Sequence, residues 1–327
     1  SINEIIIHTG QHFDKNMSQV FFSQMGLPAP KYNLGIQSLP HGAMTGRQLE
    51  QVEKVLMKEF PDYVLVYGDT NSTLSGALAS AKLNIPVIHV EAGLRSYNKS
   101  MPEEINRILT DHMSDLLFAP TQTGVDNLIK EGVSNKKIHY SGDVMYDSAI
   151  LFSSETSQGK SIIEKLELKP LKFILATFHR QNNTDNPKKL KNIVKALSGS
   201  RLPVVLPLHP RTKGILKKHD IILDYPIVPI DPVGYIDMIC LEKNSYKIIT
   251  DSGGVQKEAY FFEKNCIILR DETEWVELKK TNAHYLVGND FNKITDLMNS
   301  AHIYYKNKKI FGDGNASKII VDKIASL

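Results

Sequence analysis

Short apolar runs of four or five residues recur along this chain, and each stops at a polar or glycine-bearing turn before a helical pattern begins. They are Tyr63 to Tyr67, Val87 to Val90, Leu116 to Ala119, Phe173 to Thr177, Val204 to Leu208 and Lys247 to Thr250. Runs of this kind mark strands buried on both faces, and such strands separated by helices build a parallel sheet. The fold class predicted is therefore α/β, with ligands bound beyond the carboxyl ends of the strands. At 327 residues the chain exceeds the usual single core, so two domains are expected. The polar stretch from Leu151 to Pro170, with Ser153, Ser154, Thr156, Ser157 and Gly159, places the boundary between residues 1–150 and the second half.

The strand ends carry the chemistry. Val87 to Val90 runs into Glu91, and a carboxylate ending an apolar strand is desolvated unless it has a partner or a task. Pro102, Glu103 and Glu104 then open a helix whose apolar residues Ile105, Ile108, Leu109 and Met113 share one face, with Glu103 in its first turn near the crevice. Glu103 either complements the dipole of that helix or joins Glu91 as a general acid and base. Asp69, after strand Tyr63 to Tyr67, either caps the small-residue helix Ser72 to Leu83 or shares a crevice with Glu91. Near the start, a strand over Glu4 to Thr9 ends in Gly10, Gln11 and His12, before a helical pattern from Asp14 to Gly26.

In the second half, His179 and Arg180 follow one strand and His209 another. The two histidines have neither the spacing nor the cysteine partners of a metal site, and phosphate or sugar contact suits them better. The turn Asp251, Ser252, Gly253, Gly254 frees the first N–H groups of a helix, which suits a phosphate or diphosphate, and Glu258 about one turn on could meet a ribose hydroxyl pair. A plain strand-to-helix turn explains the same residues equally well. Neither a P-loop nor a dinucleotide fingerprint is present.

Composition excludes several classes. The formal net charge is only +3 and the basic residues are scattered, so no nucleic-acid partner is implied. The longest apolar runs are strand-sized, far short of the roughly 20 residues of a membrane helix, so no membrane insertion is expected. Cys240 and Cys266 sit in apolar surroundings and read as buried free thiols, which fits a reducing cytoplasm.

Taken together, these stretches resemble the non-hydrolysing UDP-N-acetylglucosamine 2-epimerases along essentially the whole chain. The matching motifs are TGQH from Thr9, YGDTN from Tyr67, HVEAGLR from His89, PEEINR from Pro102, FAPT from Phe118, His179 with Arg180, DSGGVQKEA from Asp251, and RDETEWVE from Arg270. The resemblance implies a GT-B-like fold, two Rossmann-like domains with the active site in the cleft between them. It implies a first domain of residues 1–150 rejoined by a crossing helix at 315–327, and a UDP-binding domain of residues 151–314. It further implies reversible C2 inversion of UDP-GlcNAc to UDP-ManNAc through UDP elimination to a glycal, in the supply of cell-surface polysaccharide precursors. No cofactor or metal is needed, and a cytoplasmic homodimer is the expected state. Asp69, Glu91, Glu103 and His179 match the catalytic positions. Arg107, Arg180, His209, Ser252, Gly253, Gly254, Glu258 and Arg270 are expected to bind substrate or UDP, and Gln11 and Arg47 resemble regulatory UDP-GlcNAc contacts.

Four departures qualify the match. The family opens with a strand and a G-x-R-P-type loop, which leads us to expect that segment upstream of Ser1. Asp14 stands where a regulatory glutamine is usual, and Asn182 where an acid is usual. Trp275 replaces a proline, as in the branch acting on UDP-2,3-diacetamido-2,3-dideoxy-glucuronic acid, and the indole must either fill core space or reshape a pocket wall. A GT-B glycosyltransferase and a non-catalytic nucleotide-sugar sensor are the rival readings.

Overall fold

The computed structural model describes residues 2–11, 22, 25–154, 161–303, 305 and 309–327. The chain divides into two compact units, residues 1–147 with 309–327, and residues 148–308.

The first unit is built on four parallel strands, β3 (Val64–Tyr67), β4 (Val87–Val90), β5 (Leu116–Ala119) and β6 (Ile138–Tyr140), adjacent in chain order. A separate parallel pair joins β1 (Ile7–His8) to β2 (Tyr32–Asn33). The strand expected over Glu4 to Thr9 is thus only two residues long, because only Tyr32 and Asn33 pair with it. Most of the helical pattern from Asp14 to Gly26, with His12 and Asp14, lies outside the described residues. Helix α1 (His41–Glu59) lays Val52 and Leu56 against Ala79 of α2 (Asn71–Lys82). The small residues of α2 let it lie close on the sheet: a methyl added at Gly76 would stand 3.0 Å from Val66 Cγ1.

Helices α3 (Pro102–Met113), α4 (Gln122–Lys130) and α5 (Val144–Ser154) follow their strands in turn. The final helix of the chain, Ala316–Ala325, covers one face of the four-stranded sheet, with Ile320 and Ile324 on Ile88, Val90, Leu116 and Phe118. Asp147 fixes its start by accepting from Ala316 N at 3.1 Å and Ser317 N at 2.7 Å.

The second unit holds six parallel strands: β7 (Ile174–Thr177), β8 (Val204–Pro207), β9 (Ile227–Ile230), β10 (Lys247–Thr250), β11 (Asn265–Ile268) and β12 (His284–Leu286). Their order is β9-β8-β7-β10-β11-β12, so the chain winds outward from β7 and then restarts beside it at β10. Ligands of doubly wound sheets bind at that reversal. Alternate residues feed two cores, Ile174, Ala176, Val204 and Ile249 on one face and Phe173, Leu175, Val205 and Ile248 on the other. Truncating a fully buried leucine such as Leu175 to alanine costs about 2–5 kcal/mol.

Strand β12 and the helix Phe291–Asn299 were not foreseen from the sequence pattern. Both are short, and β12 is an edge strand whose regularity comes from pairing with β11. Among the described residues no helix is long and apolar enough to cross a membrane.

His284, at the start of β12, is 5% exposed, and its burial lowers the imidazole pKa to about 4 despite a hydrogen bond to the Gln256 backbone. The folded ring is neutral, whereas the unfolded ring takes a proton below about pH 6.5. The stability this provides is complete above that pH and is lost as pH falls toward 4. Between pH 7 and pH 5 the wild type should lose about 2 kcal/mol more unfolding free energy than His284→Gln. Urea titrations followed by the fluorescence of Trp275, the sole tryptophan and part of this unit, measure the difference.

Candidate active site

In the first unit the ends of β3 and β4 bring three of the expected residues together. After β3 the chain turns left-handed at Gly68, with φ 64°, and Thr70 caps α2 through its own side chain in a capping box with Thr73. Asp69 is therefore not the cap. Its carboxylate pairs with Arg107 at 2.5 Å, and Arg107 is held from its other side by Glu104 at 2.8 Å. Asn106 donates to the Asp69 carbonyl at 2.9 Å. Glu91 has φ 77°, a backbone conformation that costs a non-glycine residue about 1–2 kcal/mol. Its Oε2 lies 3.3 Å from where a Cβ on Gly68 would stand, so the carboxylate reaches across to the turn that bears Asp69.

Helix α3 buries its apolar face only in part, Met113 packing against Val66 and Val87. Ile105 and Leu109 are 47% and 46% exposed, while Glu104, Asn106, Arg107 and Asp111 are buried. The inward face has to satisfy strand-end loops rather than apolar surface: Glu104 alone accepts from Ser96 N, Ser96 Oγ, Tyr97 N and Arg107. Glu103 is exposed in the first turn of the same helix. Gln11 Oε1 accepts from Ser72 N at 3.2 Å and Ser72 Oγ at 3.0 Å, whereas Arg47 is exposed on α1.

In the second unit the reversal point is fastened by Asp251, which is fully buried. Its carboxylate accepts from His179 N at 3.1 Å, Arg180 N at 3.0 Å and Asn183 Nδ2 at 2.9 Å. Asn183 also reaches the Leu269 carbonyl at 2.8 Å, so one amide ties together the loops after β7, β10 and β11. The His179 ring is half exposed and stacks on His209 with centroids 5.9 Å apart. No three potential metal ligands cluster anywhere among the described residues.

Beside this loop, the helix Gly253–Phe261 begins with Ser252 as its N-cap. Gly253 has no room for a side chain, since a Cβ would stand 2.5 Å from Glu274 Oε1. Burial would raise the Glu274 carboxyl, but Arg270, 2.9 Å away, and Arg180 hold it below the ordinary carboxylate range. Arg270 is 7% exposed, and among the described residues its NH1 has no hydrogen-bond partner. A guanidinium nitrogen left over beside a helix N-terminus fits an anion. Glu258 is 4% exposed and faces Glu242, whose carboxyl is pushed well up by burial and by that neighbour. Trp275 fills core space rather than lining a wall: it is 3% exposed, with Lys257 Nζ 4.3 Å above its ring. Asn182 is exposed and accepts from Lys189.

Sequence reasoning did not assign Asp251, Asn183 or Glu104. Asp251 and Glu104 lie within quoted motifs and Asn183 just beyond Arg180, and a signal existed at Asp251 and Asn183: an acid and an amide at strand-end turns, where unsatisfied N–H groups collect.

Two α/β units built on parallel strands, with acids at the strand ends of one and a phosphate-type helix start in the other, define a GT-B-like nucleotide-sugar protein. Residues 1–325 match the profile of the family described as UDP-N-acetylglucosamine 2-epimerase. A UDP-2,3-diacetamido-2,3-dideoxy-D-glucuronate 2-epimerase of Pseudomonas aeruginosa is 49% identical, over 100% of this chain and 92% of its own. A UDP-N-acetylglucosamine 2-epimerase of Methanococcus maripaludis is 43% identical, over 97% and 90%. The crystal structure of Methanocaldococcus jannaschii UDP-GlcNAc 2-epimerase in complex with UDP-GlcNAc and UDP superposes with a TM-score of 0.91 at 41% identity, covering 100% of this chain and 93% of that one. The chain belongs to the UDP-N-acetylglucosamine 2-epimerase family, and so to the isomerases.

Replacing Asp251 with alanine orphans donors from His179, Arg180 and Asn183 at once. At about 1–3 kcal/mol per unsatisfied buried group, Asp251→Ala should lower the stability of the second unit by roughly 3 kcal/mol or more. The urea midpoint of Trp275 fluorescence reads this loss.

Proposed function

We propose that the chain inverts C2 of a UDP-N-acetylhexosamine reversibly, UDP-GlcNAc to UDP-ManNAc, by eliminating UDP to a 2-acetamidoglucal and adding it back on the other face. The observation that carries this reading is the juxtaposition of Glu91, held in a strained backbone, with the Arg107-paired Asp69. Removing a weakly acidic C2 proton needs a base, and returning it to the other face needs an acid, so two carboxylates in different electrostatic surroundings suit the step. Glu103 is the third acid of the set, and His179 the group from the second unit. As the C1–O bond breaks, charge gathers on the departing diphosphate. The N–H groups at Gly253 and Gly254, with Arg270 and Arg180, supply the compensating field, the Ser252 N–H being taken by Thr250 Oγ1 at 2.9 Å. The same reading gives Glu258 to the ribose and His209, stacked on His179, to the phosphates. The same reading expects a homodimer working in the cytoplasm, where the thiols of Cys240 and Cys266 stay free.

Incubation with UDP-GlcNAc in D₂O tests the reaction. Epimerisation puts deuterium at C2, a glycosyltransferase needs an acceptor, and a sensor leaves the sugar unchanged. Glu91→Gln and Glu103→Gln should each slow exchange by about 10² or more while UDP still binds, the usual scale for a lost proton-transfer group. Near-normal exchange in both would overturn the assignment.

A second reading, the diacetamido-glucuronate substrate, is favoured by the Pseudomonas aeruginosa relative and by Asn182, which removes a negative charge that a C6 carboxylate would meet. The buried Trp275 adds nothing to it, and UDP-GlcNAc remains the preferred substrate. The ratio of kcat/KM for the two sugars decides, and a preference of about 10² for the acidic one would replace the substrate while keeping the chemistry.

A further inference from the structure

His89 is the third residue of β4, fully buried, with apolar Val66 and Leu117 as its neighbours across the sheet. Without water, each ring nitrogen needs a protein partner. Nε2 lies 2.8 Å from the Gly68 carbonyl oxygen, which can only accept, so Nε2 carries a proton. Nδ1 lies 2.7 Å from Asp111 Oδ1. The other Asp111 oxygen accepts from Gly93 N at 3.1 Å and Arg95 NH1 at 2.7 Å, which makes the carboxylate ionised and requires Nδ1 to donate as well. The ring is an imidazolium. Burial opposes its charge, but the Asp111 carboxylate, the Gly68 carbonyl and the Glu91 carboxylate outweigh burial and hold the pKa above its ordinary value. Arg95 reaches the group only through Asp111, and Glu131 holds it from its far side at 2.6 Å.

The two groups that this ring and its carboxylate grip lie in the turns that bear the acids. Gly68, at φ 64°, precedes Asp69, and Gly93, at φ 82°, closes the turn that Glu91 opens. The Gly93 turn lies hard against its neighbour, since a Cβ there would run into the Gly124 backbone.

We propose that His89 is a positioning residue for the acids of the first unit: its imidazolium clamps the Gly68 carbonyl directly and the Gly93 amide through Asp111, keeping Glu91 in its left-handed backbone against the turn of Asp69. This rests on the reading that those acids do the proton work. Loss of the ring proton on the alkaline side opens one of the two clamps, so turnover falls while UDP, held in the second unit, binds as before.

The experiment measures kcat for C2 deuterium exchange from about pH 6 to 10 for wild type, His89→Gln and Asp111→Asn, with UDP affinity by calorimetry and the His89 ring followed by ¹⁵N NMR. The wild type should show an imidazolium at neutral pH and an alkaline fall in kcat that tracks its titration. Asp111→Asn removes the charge that keeps the proton on, and should move that fall down by about one unit or more. His89→Gln should lower kcat by about ten- to a hundredfold, lose the alkaline fall and leave UDP affinity unchanged, a pattern that simple destabilisation does not give. A neutral ring at pH 7, or an alkaline fall that Asp111→Asn leaves in place, overturns the proposal even if His89→Gln does not fold. Glu91→Gln separates the two layers. Should it exchange normally, the acid reading falls. Should it be inactive while His89→Gln behaves as wild type, only the role of His89 falls.

Discussion

The constraint on which this structure depends is the parallel strand end. A parallel sheet buried on both faces leaves its polar backbone groups to collect where the strands stop and the helices begin, and groups buried there have to be paired. This chain pairs many of them with buried carboxylates. Asp251 takes three N–H groups in the second unit. In the first, Asp111 takes the Gly93 amide together with His89 and Arg95, and Glu104 takes two amides and a hydroxyl of the loop before α3. Asp251 and Asp111 hold in place the turns that carry His179, Arg180 and Glu91.

The arrangement separates duties by unit. The first unit concentrates charge of both signs around the ends of β3 and β4, with Arg95 and Arg107 each held between two acids. The second places its reversal point, its glycine-bearing helix start and Arg270 in one region, surroundings of backbone dipoles and a guanidinium that suit an anion. In the proposed reaction, transfer of a proton and departure of a diphosphate make different demands on their surroundings, and placing them on two sheets lets each be tuned apart from the other.

The alternation of apolar runs and helical patterns was legible because hydrophobic burial is a local property of a run: Val87 to Val90 and Lys247 to Thr250 keep their expected bounds. The motifs at the strand ends were legible as motifs. What the sequence did not disclose is what tertiary contact decides. Thr70 rather than Asp69 caps α2 because Arg107 draws Asp69 away. The two-turn helix Phe291–Asn299, with its Asp290 cap and buried Ile294 and Met298, carries a pattern too short to stand out. Whether Trp275 lined a pocket or filled the core depended on Lys257 lying over it, a contact no spacing rule gives.

The inward polar face of α3 has a consequence for how this helix tolerates change. In an ordinary amphipathic helix the interior constrains volume and the exterior is permissive to charge. Here the interior constrains the count of donors against acceptors, so an isosteric swap such as aspartate for asparagine is the disruptive one, since it sets two lone pairs or two N–H groups against each other. Outside, at Ile105 and Leu109, side chains as different as leucine and lysine meet the same water. A substitution table for α3 therefore departs from the usual one, with shape-preserving changes dangerous on its buried polar face.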